Sequence, residues 1–161
     1  KLPIVLPKGM EGVIEPGGQQ TTYWEGIFSS YRAKNAAFTS AFPFGHGLSY
    51  ANFTYAKPNQ KRCAAHACVR TSVRNAGGRS AAEVAQAYVE FAKEAGEPKL
   101  VLRGFHRTAD LAEGEEEEVI FSFSERDFSI YVHGGWQLQR NITVHIGSSS
   151  ADLRHTLVLK D

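Results

Sequence analysis

Phe42-Pro43-Phe44-Gly45-His46-Gly47-Leu48-Ser49-Tyr50 divides this chain into two kinds of sequence. Three aromatics, two glycines and a proline in nine residues are too irregular for a helix or a plain strand. Pro43 fixes its own φ and pushes Phe42 toward extended geometry, while Gly45 and Gly47 permit backbone angles closed to other residues. A segment this apolar and this bent has to be pinned against a large surface.

Upstream, residues 1–47 hold four of the six prolines and the pair Gly17-Gly18, with no sustained periodicity. They read as an extended arm and not as an independent domain. An ordered loop of that length is uncommon in a compact domain, which points to a missing neighbour. Downstream, residues 48–161 change to short alternating runs. Leu48 to Tyr50 and Phe53 to Tyr55 read as a first strand. Val69, Thr71 and Val73 share one face, with Arg70, Ser72 and Arg74 opposite, and Asn75-Ala76-Gly77-Gly78 then supplies a turn. Ala85, Ala87, Val89 and Phe91 alternate with Gln86, Tyr88 and Glu90. The alanines of 81–91 would suit a helix, but Val84, Tyr88, Val89 and Phe91 favour a strand. Val101 to Arg107, Val119-Phe121-Phe123, Ile142-Val144-Ile146 and Leu157-Leu159 complete the set. Such runs, separated by turn signals, predict an all-β, immunoglobulin-like antiparallel sandwich behind an N-terminal arm.

The composition is that of an ordinary globular protein, 42% hydrophobic and 22% charged with a net charge of +1. That balance offers no field to nucleic acid or acidic lipid, and the Glu115 to Glu118 run reads as a solvated loop feeding a strand. No apolar stretch approaches bilayer-spanning length, so no membrane partner is expected. The first residues are not a signal peptide and no initiating Met is present, which reads as a processed or excised piece.

Cys63 and Cys68 would stand about 17 Å apart on one straight strand and could not bridge. A turn at Ala64 to Ala67 would close a small disulfide loop; bridge and buried thiols both remain open. Cys63, His66 and Cys68 are poorly spaced for a metal and have no fourth ligand nearby, so neither metal nor other cofactor is expected. The sequons Asn52-Phe53-Thr54 and Asn141-Ile142-Thr143, with the cysteine pair, favour a secreted or vacuolar glycoprotein.

No catalytic constellation is legible. Glu25 sits in Tyr23-Trp24-Glu25-Gly26, while Glu11, Glu15 and Asp127 are scattered. A structural bond from Glu25 to backbone or to Arg32 is the better reading. Gly147-Ser148-Ser149-Ser150 lacks the Gly-x-Ser-x-Gly setting of a nucleophile elbow and reads as a turn at a strand end before Asp152. His46, between two glycines, reads as an imidazole whose nitrogens tie down the bent segment. Carbohydrate contact is the rival reading of the aromatics Tyr23, Trp24, Phe28, Tyr31 and Trp136, as in a secreted module that binds a glycan or a protein.

Tyr23-x-Glu25-Gly26-Ile27-Phe28-x-x-Tyr31-Arg32 followed by the Phe42 to Tyr50 segment resembles the C-terminal region of glycoside hydrolase family 3, the β-glucosidases and β-xylosidases. Leu2 to Lys8, Asn75 to Gly77, Glu83 to Val89, Pro98-Lys99, Leu102 to Phe105, Leu111 to Val119, Trp136 and Val144 to Ser150 follow in the family's order. The resemblance runs end to end. It implies a fibronectin type III-like domain (48–161) preceded by a linker from an α/β-sandwich domain (1–47). It further implies a parent that is a retaining β-glycosidase, a reaction that needs two carboxyl groups about 5 Å apart. In the family those groups lie in a preceding barrel and middle domain, so none is carried onto this chain, which alone is expected to be inactive. Its partners would be those two domains, docked against Tyr23, Trp24, Glu25, Phe28, Tyr31, Arg32, Phe42, Phe44 and His46. The resemblance also implies a core position for Trp136. Beyond it the pattern departs, with Arg140-Asn141-Ile142 replacing the usual Pro-Gly-x-Tyr and one residue fewer.

Overall fold

A computed structural model of the chain describes residues 1–10, 17, 22–34 and 40–160. Glu11, Glu15 and Gly18 lie outside the described residues. The described chain is all-β. In the arm, β1 (Leu6–Pro7) pairs antiparallel with β2 (Ser40–Phe42). The sandwich starts with β3 (Ala51–Tyr55) and β4 (Asn59–Lys61), which lie end to end along one edge of the long β5 (Ala67–Gly78). Pro58, which has no N–H to give, falls at the break between them. Across that break the Thr71 hydroxyl donates to the Ala56 carbonyl at 2.6 Å.

The second sheet begins with β6 (Val84–Glu90) and its edge neighbour β7 (Val101–Arg107). The chain then returns to the first sheet as β8 (Glu116–Phe123), on the other side of β5. A hairpin, β9 (Ser129–Val132) and β10 (Gly135–Leu138), leads to β11 (Thr143–Ser149) and β12 (Asp152–Val158). The second sheet has the order β12-β11-β6-β7, with every pairing antiparallel.

The core lies between the two sheets. Val69 and Val73 from β5, Val119, Phe121 and Phe123 from β8, and Val144 and Ile146 from β11 are buried there. They meet Ala85, Ala87 and Val89 of β6. Small residues on β6 have a steric reason. Gly104 stands opposite Ala87, and a Cβ on Gly104 would lie 3.1 Å from the Phe121 ring. The bulk of Phe121 is thus fitted into space left by its neighbours.

Four details differ from the sequence reading. Leu48 is 95% exposed and Tyr50 is exposed too, so the first strand starts at Ala51. Asn75 to Gly78 do not turn, because β5 runs on to Gly78. Asn75 is fully buried, and its amide nitrogen donates to the carbonyls of Arg79 and Leu111, each at 3.0 Å. The acidic run is partly strand, since β8 starts at Glu116. Trp136 is not core: it sits on β10, half exposed, under the Arg126 guanidinium.

Candidate functional site

The second sheet is buried on both faces along β6, and this places the arm. Gln86 and Tyr88 point away from the core, yet both are buried. What covers them is the bent segment. The Tyr31 ring stacks on Phe44 with centroids 4.6 Å apart and meets Tyr88 edge-on at 5.8 Å. Gln86 Nε2 donates to the carbonyl of Gly45 at 3.4 Å and to that of Ser148 at 2.8 Å. The Tyr88 hydroxyl donates to Gln86 Oε1. Burial pushes the Tyr88 phenol well above the usual tyrosine range, so it stays a donor.

Gly45 has φ +80°, and a Cβ there would run into the Gln86 side chain. That position requires glycine; Gly47 has no such backbone angle. The first residues are stitched in as well. Leu2 N donates to His46 O and Gly45 N to Leu2 O, both at 2.8 Å, while Ser150 N donates to Phe44 O at 3.0 Å. Lys1 Nζ pairs with the buried Glu83 at 2.8 Å. His46 therefore holds the segment through its backbone. Its ring lies against Phe42, with centroids 5.1 Å apart, and among the described residues makes no hydrogen bond, contrary to the sequence reading.

The other arm residues divide. Tyr23 and Trp24 are exposed, Trp24 at 77%, as are Ile27 of the same motif and Phe42 at the start of the bent segment. Phe28 is half-buried with the Lys34 ammonium 3.6 Å from its ring centre. Glu25 Oε2 and Arg32 Nε are each buried without a hydrogen-bond partner, and of the two bonds expected for Glu25, to backbone or to Arg32, the one to Arg32 is not seen among the described residues. Buried groups of this kind cost free energy until something pairs them.

The remaining sequence candidates lie on the sandwich. Asn52 is exposed, at a bulge where β3 shifts register against β5. Asn141 is exposed between β10 and β11, with φ +57°, a conformation asparagine tolerates. The chain turns at 64–66, and Cys63 and Cys68 are joined by a disulfide with Cα atoms 6.1 Å apart. Asp127 caps a short 3-10 turn, accepting from Ser124 N and Ser124 Oγ at 2.8 Å. Ser149 Oγ accepts from Asp152 N at 3.0 Å, and Ser148 Oγ donates to Asp152 at 2.6 Å, so the end of β11 is tied to the turn at Ser150 and Ala151 that follows it. Among the described residues no group of three or more His, Cys, Asp or Glu could hold a metal. Among them, too, no helix is long and apolar enough to cross a membrane.

Residues 83–150 match the model of the fibronectin type III-like domain. The whole chain, arm included, matches the C-terminal portion of glycoside hydrolase family 3 β-glucosidases. It is 31% identical to probable beta-glucosidase D of Aspergillus niger over 84% of its own length and 21% of that protein's. It is 32% identical to an exo-alpha-(1->6)-L-arabinopyranosidase of Bifidobacterium longum, over 85% of its own length and 19% of the relative's. Beta-glucosidase 3B of Thermotoga neapolitana superposes with a TM-score of 0.86 at 30% identity, covering 99% of this chain and 24% of that one. The chain thus spans about a fifth of the length of the curated relatives it matches.

Proposed function

We propose that this chain is the non-catalytic C-terminal part of a family 3 β-glycosidase. Its arm would buttress the catalytic barrel and α/β-sandwich domains of the same polypeptide. The observation that carries the reading is the split within the arm. Tyr31, Phe44 and Gly45 seal it to its own sandwich, while Tyr23, Trp24, Ile27 and Phe42 stay exposed. Rings held beside a fixed anchor and left bare are suited to a neighbour in the same chain. At about 25 cal/mol per Å², a few hundred Å² of apolar contact is worth several kcal/mol, comparable with the net stability of a domain. The sugar specificity would reside in the preceding domains, since glucosidases and an arabinopyranosidase share this tail. Passage through the secretory route, with glycans on Asn52 and Asn141, fits the exposure of both asparagines and the disulfide.

Two measurements test this. The purified chain alone should not hydrolyse aryl β-glucosides; turnover that survives rigorous purification sinks the reading. In the parent enzyme, replacing Trp24 and Tyr23 by alanine should lower the melting temperature of the catalytic domains. An unchanged melt would remove the buttress.

A further inference from the structure

The end of the sandwich away from the arm carries a second surface. β5 runs from Ala67, paired with Phe123, to Gly78, paired with Ala51. The disulfide loop leads into its Ala67 end, and the β9–β10 hairpin follows β8 there, whereas Gly45 and His46 are fastened by Leu2 near the N-terminus and by Gln86 of β6. On the hairpin, Tyr131 and Trp136 are cross-strand partners with ring centroids 5.2 Å apart and planes inclined by 55°. They are 59% and 50% exposed. The turn between their strands, His133-Gly134, has φ +49° and +85°, the pair of left-handed angles that matches the twist of a tight hairpin. Arg126 stacks on Trp136 and holds its orientation. Two positions along the same face, Leu138 forms part of the wall of a cleft of about 380 Å³, which Phe128, His66, Gln139 and Asn141 also line.

We propose that this hairpin and cleft bind a short β-linked gluco-oligosaccharide without cleaving it; the choice of glucose rests on the function proposed above. A β-linked glucose unit carries its hydroxyls around the rim and leaves two C–H faces. Those faces suit the exposed parts of the Trp136 and Tyr131 rings, and the rim suits the amide of Gln139 and the ring of His66. Mixed apolar walls with a few polar groups are the usual make-up of a small-ligand site. The inclination of the two rings fits a twisted soluble chain better than a flat crystalline surface. Among the described residues the cleft's lining contains no Asp or Glu, and so no carboxyl pair of the kind that hydrolysis needs.

The test titrates the 161-residue chain, made in a bacterial host so that Asn141 carries no glycan, with cellotetraose and with mannotetraose by calorimetry. The wild type should bind cellotetraose in the millimolar to high-micromolar range. Trp136→Ala should weaken binding about tenfold or more, Trp136→Phe should keep most of it, and Phe105→Ser, which alters an exposed ring elsewhere, should leave it unchanged. Tyr131→Ala serves as the second probe if Trp136→Ala fails to give a cooperative melt. Absence of binding by the folded wild type, or binding indifferent to both ring deletions, overturns the site. Binding of mannotetraose but not cellotetraose overturns the ligand. Either result would leave the buttress standing, because that is read from the parent's melting.

Discussion

The phenolic oxygen of Tyr31 accepts a hydrogen bond from the backbone N–H of Leu102 at 3.0 Å. Leu102 lies on β7, the edge of the second sheet, so a side chain from the arm occupies a donor that would otherwise be open to strand addition. Tyr31→Phe keeps the stacking on Phe44 and Tyr88 but orphans that N–H. It should cost about 1 kcal/mol in chemical denaturation. Amide exchange at Leu102 should accelerate, and an unaltered rate would show that the arm does not rest there.

Gly45 and Gly47 should respond differently to alanine. At Gly45 the substitution forces a left-handed angle on a residue with a Cβ and displaces Gln86, whose amide holds Ser148 and Gly45 together. The loss should be about 2 to 4 kcal/mol. At Gly47 the nearest atom is the flexible Lys1 side chain, 3.0 Å away, so the cost should stay within about 1 kcal/mol. Urea midpoints of the two variants check the ordering.

Asn75→Ala removes an amide that bonds the Arg79 and Leu111 carbonyls and accepts from Gly77 N at 3.0 Å. The vacated carbonyls stay buried, and the expected destabilisation is about 3 kcal/mol. A change below about 1 kcal/mol would mean that water replaces the amide.

Two carboxylates set the acid response. The His106 ring beside Glu117, 2.7 Å away, and then the Ala109 N–H hold the Glu117 carboxyl below the usual range. Arg154, bonded through two nitrogens, and then Ser148 do the same for Asp152. A depressed carboxylate stabilises the fold above its unfolded pKa, and the contribution fades as pH falls through the folded value. The melting temperature of the wild type should therefore drop on acidification below the ordinary carboxylate range. Glu117→Gln/Asp152→Asn should start lower at neutral pH and fall less steeply. Parallel curves would refute the assignment.

Most of the sandwich was legible because its strands alternate with one face in the core, as in Val69-Thr71-Val73, Val119-Phe121-Phe123 and Ile142-Val144-Ile146. Alternation reports one buried face only. Gln86 and Tyr88 therefore read as outward residues, and their burial depends on the arm, a partner far away in sequence. Asn75 to Gly78 carry the local chemistry of a turn, but pairing overrides it: Asn75 N donates to Glu115 O, and Gly114 N donates to Asn75 O. Trp136 misled for the opposite reason. The family resemblance implied a core position for it, but on the hairpin it lies half exposed against Arg126. In the bent segment the sequence announced a fixed conformation, but not that the backbone of His46, and not its imidazole, would do the fastening.

Because the arm forms a partial third layer over β6, the sandwich strands alone are not a clean cutting unit. A fragment trimmed to begin at Ala51 would uncover the Gln86 amide and the Tyr88 phenol and would reopen the β7 border. Such a fragment would self-associate on storage, whereas one that keeps Leu2, Tyr31 and the Phe44-Gly45 corner would carry its own lid into any chimera.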